Sequence, residues 1–151
     1  MSELETLGTS SSIRPAARAD LPALCALMEQ LCGHPVSHED MENRLELVEA
    51  SAIDELFVLE VEGRVQGLLG FRIRENIEER SRYGEISILV TDQSSRQLGF
   101  GRRLMEYAEA LARKKGCKGT WLVSGFAREE EAHRFYQKLG YRVTGYRFVK
   151  E

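Results

Sequence analysis

One stretch of this chain, Arg96-Gln97-Leu98-Gly99-Phe100-Gly101-Arg102, constrains its fold more than any other. It follows an apolar run at residues 86–90 and precedes an amphipathic pattern at 104–115. Read in order, the three predict a strand, a glycine-bearing turn and a helix. The start of a helix has free backbone N–H groups and the positive end of the helix dipole. Glycine lets a phosphate approach the backbone where a Cβ would obstruct it. The expected product is an anion site.

Spacing excludes two common phosphate loops. A Walker A loop needs lysine and then serine or threonine directly after its last glycine, and here Gly101 is followed by Arg102 and Arg103. A dinucleotide fingerprint needs a third glycine three residues after the second, and Leu104 stands there. The pattern that remains is R-x-x-G-x-G.

Length and charge narrow the field further. At 151 residues the chain is read as a tail at 1–12 and a single domain at 13–151. A net charge of −3 argues against a nucleic-acid partner, which favours a strongly basic surface. No apolar run approaches the ~18 residues of a membrane span. The N-terminus lacks a basic-then-apolar signal, so a cytoplasmic location is expected. Cys25, Cys32 and Cys117 have no C-x-x-C spacing, and His34, His38 and His133 form no ligand set, so no metal is expected. Cys25 and Cys32 are read as small buried hydrophobes on one helix face.

Periodicity gives the elements. A strand is expected at 12–16, and a helix from Asp20 to Gly33 with Leu21, Leu24, Cys25, Met28 and Leu31 on one face. Ser37 opens a second helix, with Asp40 three residues on. A hairpin at 57–61 and 65–72 turns at Glu62-Gly63. A third long strand, 83–91, feeds the glycine loop and its helix. A strand at 120–124, a helix at 128–139 and a final strand at 141–149 complete the order β-α-α-β-β-β-α-β-α-β. This is not a regular βαβ alternation, so a mixed α/β (α+β) sheet with helices on both faces is expected.

The loop, the order of elements and the segment Ala132-His133-Arg134-Phe135-Tyr136-Gln137-Lys138-Leu139-Gly140-Tyr141 together resemble the GNAT superfamily of N-acetyltransferases. The loop matches the family's Q/R-x-x-G-x-G/A, and the segment matches its A-x-x-F-Y-x-x-x-G-F/Y. The likeness runs from Ile13 to Val149 and implies the GNAT fold, with a mixed central sheet of about six to seven strands. It also implies acetyl-CoA as donor, a primary amine as acceptor, and direct attack in a ternary complex. A homodimer follows by family analogy alone.

The resemblance assigns roles residue by residue. Backbone N–H groups of Gln97, Leu98, Gly99, Phe100, Gly101 and Arg102, following Arg96, would hold the pyrophosphate, with Arg102 adding a charge-assisted contact. Leu89, Val90 and Thr91 would pair with the pantetheine arm like an added strand. Thr91 stands where the family often has valine, and Gln93 where it often has proline.

Glu85 lies eleven residues before Arg96, the spacing of the general base in the histone-acetylating branch. Strand alternation puts it on one face with Ser87 and Leu89, opposite Ile86 and Ile88. A glutamate here serves either as base or as a substrate-binding or structural carboxylate, and the sequence leaves both open. Tyr136 matches the tyrosine that serves the family as general acid near the coenzyme A sulfur, against the plain alternative of a buried aromatic. Glu129 departs from the family, which often has an asparagine there to bond the cofactor. A carboxylate cannot donate as that amide does.

The acceptor is less defined. The chain's end at 146–150 and the segment 132–136 look similar to small-molecule acetyltransferases, including those acting on aminoalkylphosphonates. Arg72, Arg74, Arg80 and Arg82 would suit such an anion, or form a solvated rim partly cancelled by Glu75, Glu78 and Glu79. Protein lysine or N-terminal acetylation is the alternative acceptor class. A non-catalytic coenzyme A-binding regulatory module and a general nucleotide binder are the alternatives outside it.

Overall fold

Caps decide where the first two helices begin and end. The computed structural model describes residues 10–125 and 129–151. α1 (Leu21–Cys32) carries a proline in its first turn, where a missing N–H is no loss, and stops at Gly33, φ +84°. α2 (His38–Glu49) starts at Ser37, whose Oγ accepts from the Asp40 N–H at 2.9 Å. Both lie against one face of a sheet.

That sheet begins with β1 (Ser11–Pro15), which takes in two residues assigned above to the tail. β2 (Asp54–Val61) and β3 (Arg64–Glu75) are joined at Glu62-Gly63, φ +51° and +79°. Positive φ at both turn residues matches the twist of a two-residue hairpin. β4 (Arg82–Thr91) pairs antiparallel with β3, and β5 (Gly119–Leu122) pairs parallel with β4. The order in space is β1-β2-β3-β4-β5. α3 (Phe100–Lys114) makes the crossover between the two parallel strands, and α4 (Glu129–Lys138) follows β5.

Two apolar cores lie on opposite faces of the sheet. Leu21, Leu24 and Leu27 of α1 and Met41 and Leu45 of α2 pack on Leu56, Val58, Leu68 and Val90. On the other face Leu104, Met105, Ala108 and Ala112 of α3 pack on Phe57, Leu59, Leu69, Phe71 and Ile86, with Phe135 and Tyr136 of α4 at the margin. Alternation along each strand feeds both cores.

Three expectations need correction. The described sheet has five strands rather than six to seven, because residues 141–149 form no strand. Their β-branched and aromatic content suits a strand, but a strand exists only where its backbone finds a partner. Cys32 is exposed, at the open end of α1, and only Cys25 turns toward the core. The third correction concerns β4 and bears on the site.

Candidate active site

The glycine loop is shaped by two left-handed residues. Gln97 has φ +69° and Gly99 has φ +83°. Positive φ suits the glycine and strains the glutamine, a conformation held only where surrounding structure requires it. Successive backbone N–H groups in such turns form anion-binding concavities. The first hydrogen bond of α3 runs from the Arg103 N–H to the Gly99 carbonyl at 3.0 Å. The N–H groups of residues 97–102 donate to no described residue, so a row of donors faces outward at the positive end of a 15-residue helix. Arg102 pairs only with Glu106, 3.1 Å away and well exposed, a surface contact of small worth.

The entrance to the loop is tied to α1. Gln30 Nε2 donates to Asp92 Oδ1 at 2.9 Å, and Gln30 Oε1 accepts from the Gln93 N–H at 2.9 Å. Asp92 also accepts from the Ser94 N–H at 3.1 Å, capping the short turn at Gln93–Ser95. Hydrogen bonds from Ser94 and then Gln30 hold the Asp92 carboxyl below its ordinary value. Neither Gln30 nor Asp92 was found from the sequence, since their separation along the chain hides the pair.

A bulge in β4 divides that strand in two. Phe71 pairs with Ile86 and Gly70 with Ile88, leaving Ser87 without an opposite residue. A Cβ on Gly70 would come within 2.6 Å of Ser87 Oγ and 3.1 Å of Ile88 Cβ, so the bulge needs a glycine across from it. The extra residue reverses the alternation. Leu89 packs with Ile86 on the α3 face, while Ile88 and Val90 pack on the α1–α2 face. The expectation that Glu85 shares a face with Leu89 is therefore overturned: it shares one with Ile88 and Val90.

The same strand opens an edge. β5 pairs with β4 only as far as Ile86, opposite Leu122. Beyond it residues 87–91 pair with β3 alone among the described residues. Leu89, Val90 and Thr91 thus lie beside a backbone edge that runs toward the loop.

Glu85 stands at the closed end of that edge, on a polar patch assembled from four strands. It is paired with Arg72 across β3 and with Trp121 across β5. Arg72 is held by Asp54 of β2 at 2.8 and 3.3 Å. Burial works to raise the Asp54 carboxyl, but bonds from Arg72 and Ser51 outweigh it and hold it below its usual value. Arg74 lies over the Trp121 ring, 5.9 Å from its centre, with its Nε 3.8 Å from Glu85 Oε1. Glu85 Oε1 is buried and accepts no hydrogen bond from a described residue. Leaving such an oxygen unmatched costs roughly 1–3 kcal/mol, so the position favours a donor from elsewhere. Arg82, by contrast, is neutralised by Glu75 at 2.6 Å. Trp121 and Asp54 were missed in the sequence, because only the strand register brings them to Glu85.

α4 closes on the loop. A Cβ on Gly101 would meet Phe135 Cζ at 3.3 Å, so the second glycine of the loop lets α3 touch α4. Phe135 and Tyr136 meet edge to face at 5.1 Å, and Tyr136 and Tyr141 at 6.2 Å. Tyr136 is half-buried beside the loop. The side chain of Glu129 and residues 126–128 lie outside the described structure.

Comparison with known proteins agrees with this arrangement. The acetyltransferase (GNAT) family matches residues 21–141. An uncharacterized N-acetyltransferase of Bacillus subtilis, YhdJ, is 36% identical over 115 residues, spanning 74% of this chain and 80% of its own. The aminoalkylphosphonate N-acetyltransferase of Salmonella typhimurium is 33% identical over 88 residues, 58% of this chain and 56% of its own. A GNAT family acetyltransferase of Staphylococcus aureus superposes with a TM-score of 0.79 at 26% identity, over 94% of this chain and 98% of that one.

Proposed function

The chain belongs to the acetyltransferase (GNAT) family of N-acetyltransferases, and on that premise we propose that it acetylates the primary amine of a small anionic molecule. The family draws on acetyl-CoA, which supplies the acetyl group as a thioester. The observation that carries the reading is the buried, unmatched Glu85 Oε1 on the same strand as the open edge at residues 87–91. One strand so serves both reactants.

The described residues fit the donor. The outward N–H groups of residues 97–102 suit a pyrophosphate. The edge at Leu89, Val90 and Thr91 suits an extended arm bearing amides, which pairs with a strand edge as another strand does. Glu85 accepts the proton that an ammonium must lose, since an amine of pKa near ~10 is almost wholly charged at neutral pH. Tyr136, set beside the loop by Phe135, supplies the proton that a departing thiolate takes. Arg74, lying over Trp121, takes an anionic group at the other end of the acceptor. The relative acting on aminoalkylphosphonate supports an acceptor of that charge pattern.

Thiol release from acetyl-CoA across a panel of amines tests this. Aminoalkylphosphonates and amino-sugar phosphates are expected to give the highest kcat/KM, ahead of neutral polyamines and lysine peptides. Tyr136→Phe is expected to lower kcat by at least ~100-fold with acetyl-CoA affinity nearly unchanged. Preference for lysine peptides would replace the small acceptor with a protein. No stimulation by any amine, with coenzyme A still bound, would leave a binding module.

A further inference from the structure

The last ten residues of the chain have strand chemistry and no strand. Tyr141 is firmly placed: its N–H reaches the Tyr136 carbonyl at 3.1 Å, and its hydroxyl donates to Glu109 of α3 at 2.9 Å and lies 2.7 Å from the Thr120 hydroxyl of β5. Beyond it everything turns to solvent. Residues 142–150 are all exposed, including Val143 at 68%, Tyr146 at 78%, Phe148 at 93% and Val149 at 62%. None of them makes a backbone hydrogen bond to another described residue. Aromatic and β-branched residues in such a run suit a pleated, half-buried surface. A nearly naked phenylalanine with a tyrosine and two valines around it is a contiguous apolar strip of the kind that marks an interface.

The same molecule holds the complementary feature. β5 is the margin of the sheet and pairs only with β4 among the described residues. One row of N–H and C=O groups along Gly119–Leu122 therefore faces outward, and Val123, just past it, is 51% exposed. An open edge of this kind is a template for another strand. The segment departs right beside that edge, at Thr120, yet stands away from it.

We propose that residues 142–150 add as a strand to the outer edge of β5 in a second copy of the chain, the two copies exchanging these segments reciprocally. A chain that carries both donor and acceptor makes a self-complementary contact that closes as a twofold dimer. Reach is sufficient: nine extended residues span about 30 Å, against about 13 Å for the four of β5. Area is sufficient too. Each buried aromatic contributes ~150–250 Å². Tyr146 and Phe148 with the two valines, doubled over both copies and matched by the surfaces they cover, exceed about 1,000 Å² and so meet the size of a stable interface. A strand added there also lies one strand spacing, about 4.8 Å, from Trp121, so the exchanged segment borders the polar patch at Glu85.

Light scattering and hydrogen exchange test the exchange on the full chain without reference to its activity. At micromolar concentration the chain is expected to weigh twice 17.2 kDa, with the amides of residues 119–122 and 143–149 protected together. Phe148→Asp combined with Tyr146→Asp is expected to return it to 17.2 kDa and strip protection from both sets, while β2 and β3 amides keep theirs. Val143→Pro is a second variant, removing a backbone donor while leaving the exposed aromatics in place. A monomeric full chain would overturn the proposal, whether residues 143–149 are protected by their own sheet or left open. So would a dimer that survives these substitutions with the β5 amides unprotected.

Discussion

The loop at residues 96–102 and the polar patch around Glu85 differ in what they are made of. The loop presents backbone. Its side chains point away, with Leu98 65% exposed, and its left-handed residues turn N–H groups outward. The patch presents side chains, each held by another: Arg72 by Asp54, Arg74 against Trp121, Glu85 between them. A backbone grip is indifferent to side-chain identity except where glycine is required. A side-chain patch changes with every substitution. A donor site of the first kind persists while an acceptor site of the second kind is remade, which is how one fold serves many substrates.

Three substitutions separate the two regions. Gly101→Val puts a branched side chain where even a Cβ would sit 3.3 Å from Phe135 Cζ. It is expected to cut kcat/KM by about 100-fold, through the KM for acetyl-CoA and equally for every acceptor. A loss that varied with the acceptor would show the regions to be coupled. Glu85→Gln is expected to cost about 30-fold at pH 7 with the acetyl-CoA KM unchanged. Because the lost step is removal of the amine's proton, the deficit should shrink as pH rises toward the amine's own pKa of ~10. A deficit constant with pH would make Glu85 a structural carboxylate. Arg74→Ala has the smallest effect, about 10-fold in the KM for an anionic acceptor, equivalent to ~1.4 kcal/mol. Steady-state kinetics with a neutral amine of equal length supplies the control, which should not change.

The parts of this molecule that depend on near neighbours were legible in the sequence. Ser37 with Asp40, Gly33 after an apolar helix face, and Glu62-Gly63 between two strands each act within a few residues, and each is where local chemistry puts it. The loop belongs to the same class. What was not legible depends on register. The bulge at Ser87 arises because Gly70, seventeen residues earlier, leaves room for it. Trp121 reaches Glu85 only through parallel pairing across a helix. The missing final strand is the same lesson reversed, since strand propensity at 141–149 names no partner.

The single extra residue at Ser87 sets the phase of β4. Upstream of it, odd-numbered positions look toward the acceptor; downstream, even-numbered ones do. Length therefore matters more than composition along this strand. A one-residue deletion anywhere between Gly84 and Val90 would turn half the strand inside out, exchanging buried leucine and isoleucine for solvent and misdirecting the glutamate. The charged connection at residues 76–81 has no such clock to keep. Insertions and deletions among functional relatives should accumulate there and avoid β4, leaving a strand of fixed length flanked by loops free to vary.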